Sequence, residues 1–353
     1  MTVLKLGSLF DGIGVFPLAA VHCGIEPVWA SEIEARPISI TRRHFPDMLH
    51  LGDITKISGA EIPPVDVITF GSPCQDLSQI GTRNGFAGKK SSLFYQAMRI
   101  IEEMRYATNG RYPAFCIWEN VAGAFSSNDR LDFAAMLRAF TGAEVSVPPR
   151  GWAHAGMVRG GCADTAWRLL DAQYWGEPAL AQRRKRVFVV ADFAGQRAGE
   201  VLFKPRTVLP FSAIGGPGGL PATARGGVSA AQTGRQVPIV RPFSLRRMRT
   251  MAQVGDQKGF CASFGRGGEP FPTLLASVTA PFSFWYEGEE QDGFLRVLTP
   301  LECERLMGLP ENWTKYGCKN EEISDHARYR ALGNSIALPC AEYVMAGIAE
   351  VMN

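Results

Sequence analysis

The sequence predicts an α/β fold in which a mainly parallel sheet carries helices on both faces, with a smaller, loop-rich second part. Three observations lead there. Strand-like apolar runs alternate with helix-like runs over residues 3–192. A glycine turn, Gly12-Ile13-Gly14, follows the first such run and opens a helix-like stretch. After about Asp192 the composition shifts to Gly, Pro, Ser and Arg. Alternation of this kind favours parallel strands linked by crossover helices.

The elements follow in order. Residues 3–7 read as a strand and 15–23 as a helix. Residues 27–30 form a second strand ending near Glu32, and 65–70 a third. A helix is expected over 93–104, then strands over 114–118 and 187–191. The stretch 195–280 has little helical periodicity and contains Gly215-Gly216-Pro217-Gly218-Gly219, which predicts loops and short strands. Phe243, Phe260, Phe264, Phe271 and Phe282 supply it with core material. Thr299-Pro300-Leu301-Glu302 is a helix start with proline at the first helical position. A last amphipathic helix is expected over 335–351. Residues 141–164 are assigned to no element, and no internal repeat is visible.

Composition narrows the function classes. A chain of 353 residues, 46% hydrophobic and 20% charged, is long enough for one large domain and a smaller one. No apolar run approaches the ~20 residues that span a bilayer, and Lys5 interrupts the first one, so neither a membrane span nor a signal peptide is expected. Eight cysteines without a CxxC pair point to a reducing compartment and away from structural zinc. Net charge is only +3, but residues 195–280 hold eleven Lys or Arg against three Asp or Glu. That local excess fits a polyanion contact and, equally, a solvated basic face.

Two clusters carry chemistry. Gly71-Ser72-Pro73-Cys74-Gln75 sets a cysteine just past a buried-strand pattern, followed by Gly81, Gly85 and Gly88. Such a thiol is placed to meet a substrate, although a lone cysteine is also a common small hydrophobe. Phe10-Asp11-Gly12-Ile13-Gly14 lets the backbone approach a ligand, and Glu32 follows Gly14 by 18 residues, where a doubly wound fold sets a carboxylate against ribose hydroxyls. Asp53 adds a second acid, suited to an exocyclic amine. Pro17 occupies the place of the third glycine that a dinucleotide site wants. Two carboxylates with little phosphate cradle fit a nucleoside with a sulfonium tail; a plain tight turn with surface acids is the alternative.

Six motifs in order resemble the DNA cytosine-C5 methyltransferase family, of the bacterial or phage type. They are Phe10-Asp11-Gly12-Ile13-Gly14, Gly71-Ser72-Pro73-Cys74-Gln75, Glu119-Asn120-Val121, Gln182-Arg183-Arg184-Lys185-Arg186, residues 296–310 (RVLTPLECERLMGLP) and Gly333-Asn334-Ser335. The resemblance spans about 3–192 and 296–351 and leaves out 195–295, where the family keeps its variable recognition domain. One departure stands out: Ala179-Leu180-Ala181 separates Gly176-Glu177-Pro178 from Gln182.

The resemblance implies a Rossmann-like, S-adenosylmethionine-dependent methyltransferase domain formed by residues 1–194 and 325–353. It implies a smaller target-recognition domain at 195–296 and a connecting region at 297–324. Cys74 would be the nucleophile that adds to carbon 6 of a flipped cytosine, Glu119 the acid on N3 and the amino group, and Arg184 and Arg186 the arginines beside the base. The cofactor residues would be Phe10, Asp11, Gly12, Gly14, Glu32, Asp53, Ile54, Pro73, Leu93, Asn334 and Ser335. Ser78, Arg83, Arg246, Arg247 and Thr273 would contact DNA. The expected partner is double-stranded DNA, bound by a monomer in the cytoplasm at the nucleoid, with no membrane and no metal. A cognate restriction endonuclease and a solitary enzyme fit the chain alike. Methylation of tRNA by the same chemistry, and a non-catalytic DNA-binding relative, are the alternatives.

Overall fold

β1 (Lys5–Leu9) is buried along its last four residues, as a strand covered on both faces should be. In this computed structural model the described residues are 3–72, 93–204, 239–242, 270–271, 273–274, 282–286 and 293–353. β1 pairs in parallel with β2 (Glu26–Ser31) on one side and β4 (Val67–Phe70) on the other. β3 (Leu49–His50) flanks β2, and β5 (Phe115–Val121) flanks β4, also in parallel. Beyond β5 the pairing turns antiparallel through β8 (Lys185–Asp192), β7 (Asp164–Asp171) and β6 (Ala155–Arg159). The eight-stranded order is β3-β2-β1-β4-β5-β8-β7-β6. The chain runs outward from β1 to β3, then returns to the other side for β4. The reversal between β1 and β4 is where open α/β sheets bind ligands, outside the carboxyl ends of the strands.

Alternation along the strands divides the core between two faces. In β5, Phe115 and Ile117 join one apolar cluster, while Cys116 and Trp118 join the other. The first face is covered by α1 (Val15–His22), α5 (Ala198–Leu202), α6 (Pro300–Leu306), α7 (Asp325–Asn334) and α8 (Leu338–Met352). The second is covered by α3 (Leu93–Ala107) and α4 (Leu131–Thr141). α2 (Ala35–His44) follows β2. Thr299 and Glu302 form a reciprocal capping box at α6, matching the helix start read from sequence.

The basic stretch contributes a separate antiparallel sheet, β9 (Ile239–Pro242), β10 (Phe282–Tyr286) and β11 (Gly293–Val297), in the order β11-β10-β9. Its neighbours in sequence belong to the main core: α5 packs on α8 and β7, and Leu298, Cys303, Leu306, Met307, Trp313 and Ile323 lie in the first cluster.

Several elements differ from expectation. The helix expected over 335–351 is α8, which starts three residues later at Leu338 because Ser335 is extended (ψ 176°); α7, ending at Asn334, is a separate helix before it. Glu119 lies inside β5, not at its end. Residues 155–159, within the unassigned 141–164, form the edge strand β6. Among the described residues no single helix is long and apolar enough to cross a membrane.

Candidate active site

Register alone brings the carboxyl ends of four strands together. Leu9 pairs with Ser31 and with Phe70, and Phe70 pairs with Trp118. The turn after β1, Glu32, Gly71-Ser72 and Glu119 therefore share one edge of the sheet.

The turn after β1 begins with Phe10 at φ 54°, a left-handed conformation rare for a bulky residue and common at ligand sites. Gly12 (φ 59°) and Gly14 (φ 78°) continue it, and a Cβ at Gly12 would meet open space. Glu32 fixes the turn: its Oε2 accepts from the Gly12 N–H at 2.9 Å, and its Oε1 from the N–H groups of Ile33 and Glu34 at 2.8 and 2.9 Å. The carboxylate is thus oriented by the backbone, and Oε2 keeps acceptor capacity toward solvent. Trp313 braces the turn from below, donating to the Ile13 carbonyl at 2.8 Å while stacking on His44 with ring centroids 3.6 Å apart.

Asp11 is the unusual member. Thr41 donates to its Oδ2 at 3.3 Å, while Oδ1 is sealed from solvent without a hydrogen-bond partner. Burial, reinforced by the nearby Glu32 carboxylate, pushes the Asp11 carboxyl up to about 7, against donors on Ser8 and Thr41 that pull it down. Asp53 behaves oppositely: the N–H and hydroxyl of Thr55 both donate to Oδ1 and hold its carboxyl below the usual range.

These residues fit a nucleoside cofactor of the expected kind: a backbone cradle with open space, an oriented ribose-level carboxylate, and a further acid beyond β3. Ile33, 72% exposed beside Glu32, is an apolar surface that the sequence reading missed; its only signal in the sequence is an isoleucine directly after that acid. Ile54, by contrast, buries its side chain in the second cluster, and its carbonyl accepts from Arg99 Nη2 at 3.1 Å. Leu93 is part-buried at the start of α3. Asn334 is exposed and Ser335 half-buried at the α7–α8 break.

The second centre is acidic and basic at once. Arg186 pairs with Val121 in register, and Glu119 with Phe188, so Glu119 and Arg186 are diagonal neighbours on one face. Their charges meet at 3.0 Å between Nε and Oε1. Glu119 is 9% exposed. Burial raises its carboxyl above the ordinary range, and Arg186 and then Arg184 pull it back. Gly71 lies against it: a Cβ there would come within 3.1 Å of Glu119 Oε2. Ser72 is pinned from β5, its hydroxyl accepting from Trp118 Nε1 and its carbonyl from Asn120 Nδ2, both at 3.1 Å. Two residues further in the chain comes Cys74. Cys74 itself, with Pro73, Ser78, Arg83, Arg246 and Arg247, lies outside the described residues.

Arg184 and Thr273 are engaged with the backbone, although Arg184 is close enough to act on the Glu119 carboxyl. Arg184 is 1% exposed and spends its guanidinium on backbone carbonyls. The Thr273 hydroxyl donates to the Arg183 carbonyl at 2.6 Å, so that proton is not free for DNA. Among the described residues no group of His, Cys, Asp and Glu could hold a metal ion.

Comparison with known proteins bears on this geometry. The family model described as C-5 cytosine-specific DNA methylase matches residues 4–203 and 243–350. A protein of Escherichia phage P1 named DNA N-6-adenine-methyltransferase is 24% identical over 98% of this chain, which spans 61% of that protein. Type II methyltransferase M1.ScrFI of Lactococcus lactis subsp. cremoris is 26% identical over 99% of this chain and 78% of its own length. The solved structure of S. pombe Dnmt2 methyltransferase superposes with a TM-score of 0.62 at 16% identity, covering 99% of both chains.

Proposed function

The chain belongs to the C-5 cytosine-specific DNA methylase family, and on that footing we propose that it is a DNA cytosine methyltransferase working on a flipped base through Cys74. The carrying observation is the Glu119–Arg186 pair, one strand from Gly71-Ser72 and at the same sheet edge as the nucleoside cradle. Carbon 5 of cytosine is a weak nucleophile. A Cys74 thiolate bonding to carbon 6 pushes the ring electrons toward N3 and makes carbon 5 enamine-like. Glu119, held toward its neutral form by burial, donates to N3 as that charge develops, and Arg186 balances the carboxylate left behind. S-adenosylmethionine, bound by Phe10, Asp11, Gly12, Gly14, Glu32 and Asp53, supplies an electrophilic methyl group. After methylation a base removes the carbon-5 proton, the electrons return, and the Cys74–carbon 6 bond breaks. Reaching carbon 6 requires the base outside the stack. The basic stretch 195–280 would hold the phosphates, and residues 195–296 would read the target sequence.

The test is expression in a methylation-free host followed by mass spectrometry of total DNA and bisulfite mapping. We expect 5-methylcytosine at one recurrent sequence. N6-methyladenine, the product named for the phage P1 relative, would refute the reading. Cys74→Ser should abolish the product, and wild type but not the variant should form a covalent adduct with duplex DNA containing 5-fluorocytosine.

A further inference from the structure

Arg184 sits where the recognition segment and the α7–α8 break come together. Its Nη1 donates to the Leu274 carbonyl at 2.9 Å. Its Nη2 donates to the Gly333 carbonyl at 2.9 Å and also to the Ser335 carbonyl. The root of the side chain is fixed because Asp171 Oδ1 accepts its N–H at 3.0 Å. The recognition end is independently stitched to the same strand entry: Phe271 donates to the Ala181 carbonyl and Arg183 to the Phe271 carbonyl, both at 2.7 Å, and Thr273 adds its hydroxyl. Phe271, Thr273 and Leu274 are thus tied to 181–184, and the Arg184 guanidinium carries that attachment across to Gly333 and Ser335. Asn334, the exposed residue assigned to the cofactor, lies between those two carbonyls.

The contact is electrostatically uncomfortable. The guanidinium is buried beside Arg186, and both lower its proton affinity; Glu119 opposes them. Its Nε is sealed without a hydrogen-bond partner. A fork of donors spanning three carbonyls in two segments is a task only arginine performs, since an ammonium is a point donor on a flexible stem.

We propose that Arg184 is a positioning residue that couples DNA occupancy of the 271–274 segment to retention of the cofactor by Asn334-Ser335. This rests on the methyltransferase reading above. A displacement of Leu274 on DNA binding strains or relieves the bonds to Gly333 and Ser335 through one rigid planar group. The two ligands then bias each other by the same factor, as linkage requires.

The experiment measures S-adenosylhomocysteine affinity by calorimetry, without and with saturating fragmented unmethylated genomic DNA; the product avoids turnover. Wild type should bind at least about 5-fold tighter with DNA. Arg184→Lys should bring that ratio to near one, and because the ratio is internal to each variant, a general loss of affinity does not imitate the effect. Thr273→Val loosens only the recognition end and should lower the ratio in a chain that keeps Arg184; it decides the matter if Arg184→Lys melts below the assay temperature. A wild-type ratio of one, or an unchanged ratio in a folded Arg184→Lys or in Thr273→Val, overturns the coupling while leaving the enzyme reading intact. Failure of wild type to bind S-adenosylhomocysteine at all overturns both.

Discussion

Asp11→Asn isolates the cost of keeping a carboxyl in the turn after β1. In wild type the group titrates near pH 7 when folded and near 3.8 when unfolded. Between those values the folded chain holds a proton that the unfolded chain has released. The associated stability is therefore complete below pH 3.8 and is lost as pH rises through 7. At about 1.4 kcal/mol per unit, the whole shift corresponds to about 4 kcal/mol, and the part between pH 5 and pH 7 to roughly 3 kcal/mol. Asparagine does not titrate. Its carbonyl still accepts from Thr41, but its amide takes the place of Oδ1, which has no partner, at a cost of about 1–3 kcal/mol. The variant should then be about 1–3 kcal/mol more stable than wild type at pH 8 and less stable or equal at pH 5. Urea unfolding of both proteins at the two pH values measures it. A stability difference that does not change between pH 5 and pH 8 would show that Asp11 is ionised throughout and that the argument from burial is wrong. The stabilised variant should also bind S-adenosylmethionine more weakly at pH 8, because the charge that costs stability is the one that meets a cationic ligand.

Glu119→Gln should lower turnover by at least about 100-fold by removing the proton donor, with the alkaline limb of the pH–rate profile, where Glu119 gives up its proton, lost; an unchanged profile would assign that limb elsewhere. Gly71→Ala places a methyl 3.1 Å from Glu119 Oε2, so turnover should fall while S-adenosylhomocysteine affinity, measured by calorimetry, holds. Glu32→Ala removes the acceptor that orders the Gly12, Ile33 and Glu34 N–H groups. Charged hydrogen bonds of about 1.5–3 kcal/mol each predict cofactor binding weaker by one to two decades, and unaltered affinity would move the ribose elsewhere.

The apolar strands were legible because they are continuous runs: β1, β4, β5 and β8 each appear in sequence within a few residues of their observed bounds. β7 was not, since Asp164, Thr165, Arg168 and Asp171 break any apolar run while Asp164 and Asp171 find buried partners that only the folded chain supplies. α2 hides likewise: Pro37, Ile40 and Thr41 are its buried face, and arginines crowd the rest. At the site, Glu32 was readable because strand ends gather in a parallel sheet, and Glu119, which lies inside β5, through the Glu119-Asn120-Val121 motif. The separate tasks of Arg184 and Arg186 were not. Two residues apart in an extended chain, they share a face, and only the segments folded over that face give one a carboxylate and the other three carbonyls.

The packing of α1 against α8 bears on synthesis. Val15, Phe16, Leu18 and Ala19 are buried in the finished protein, in the same cluster as Val344, Met345 and Ile348, and α1 and α8 are in contact. Leu338 comes 316 positions after His22. At ribosomal speeds of about 5–20 residues per second, that apolar surface waits from about a quarter of a minute to a minute for its cover. During that interval the nascent chain presents a natural landing place for a chaperone, and a premature stop codon anywhere before residue 338 would release a sticky fragment, not a smaller enzyme.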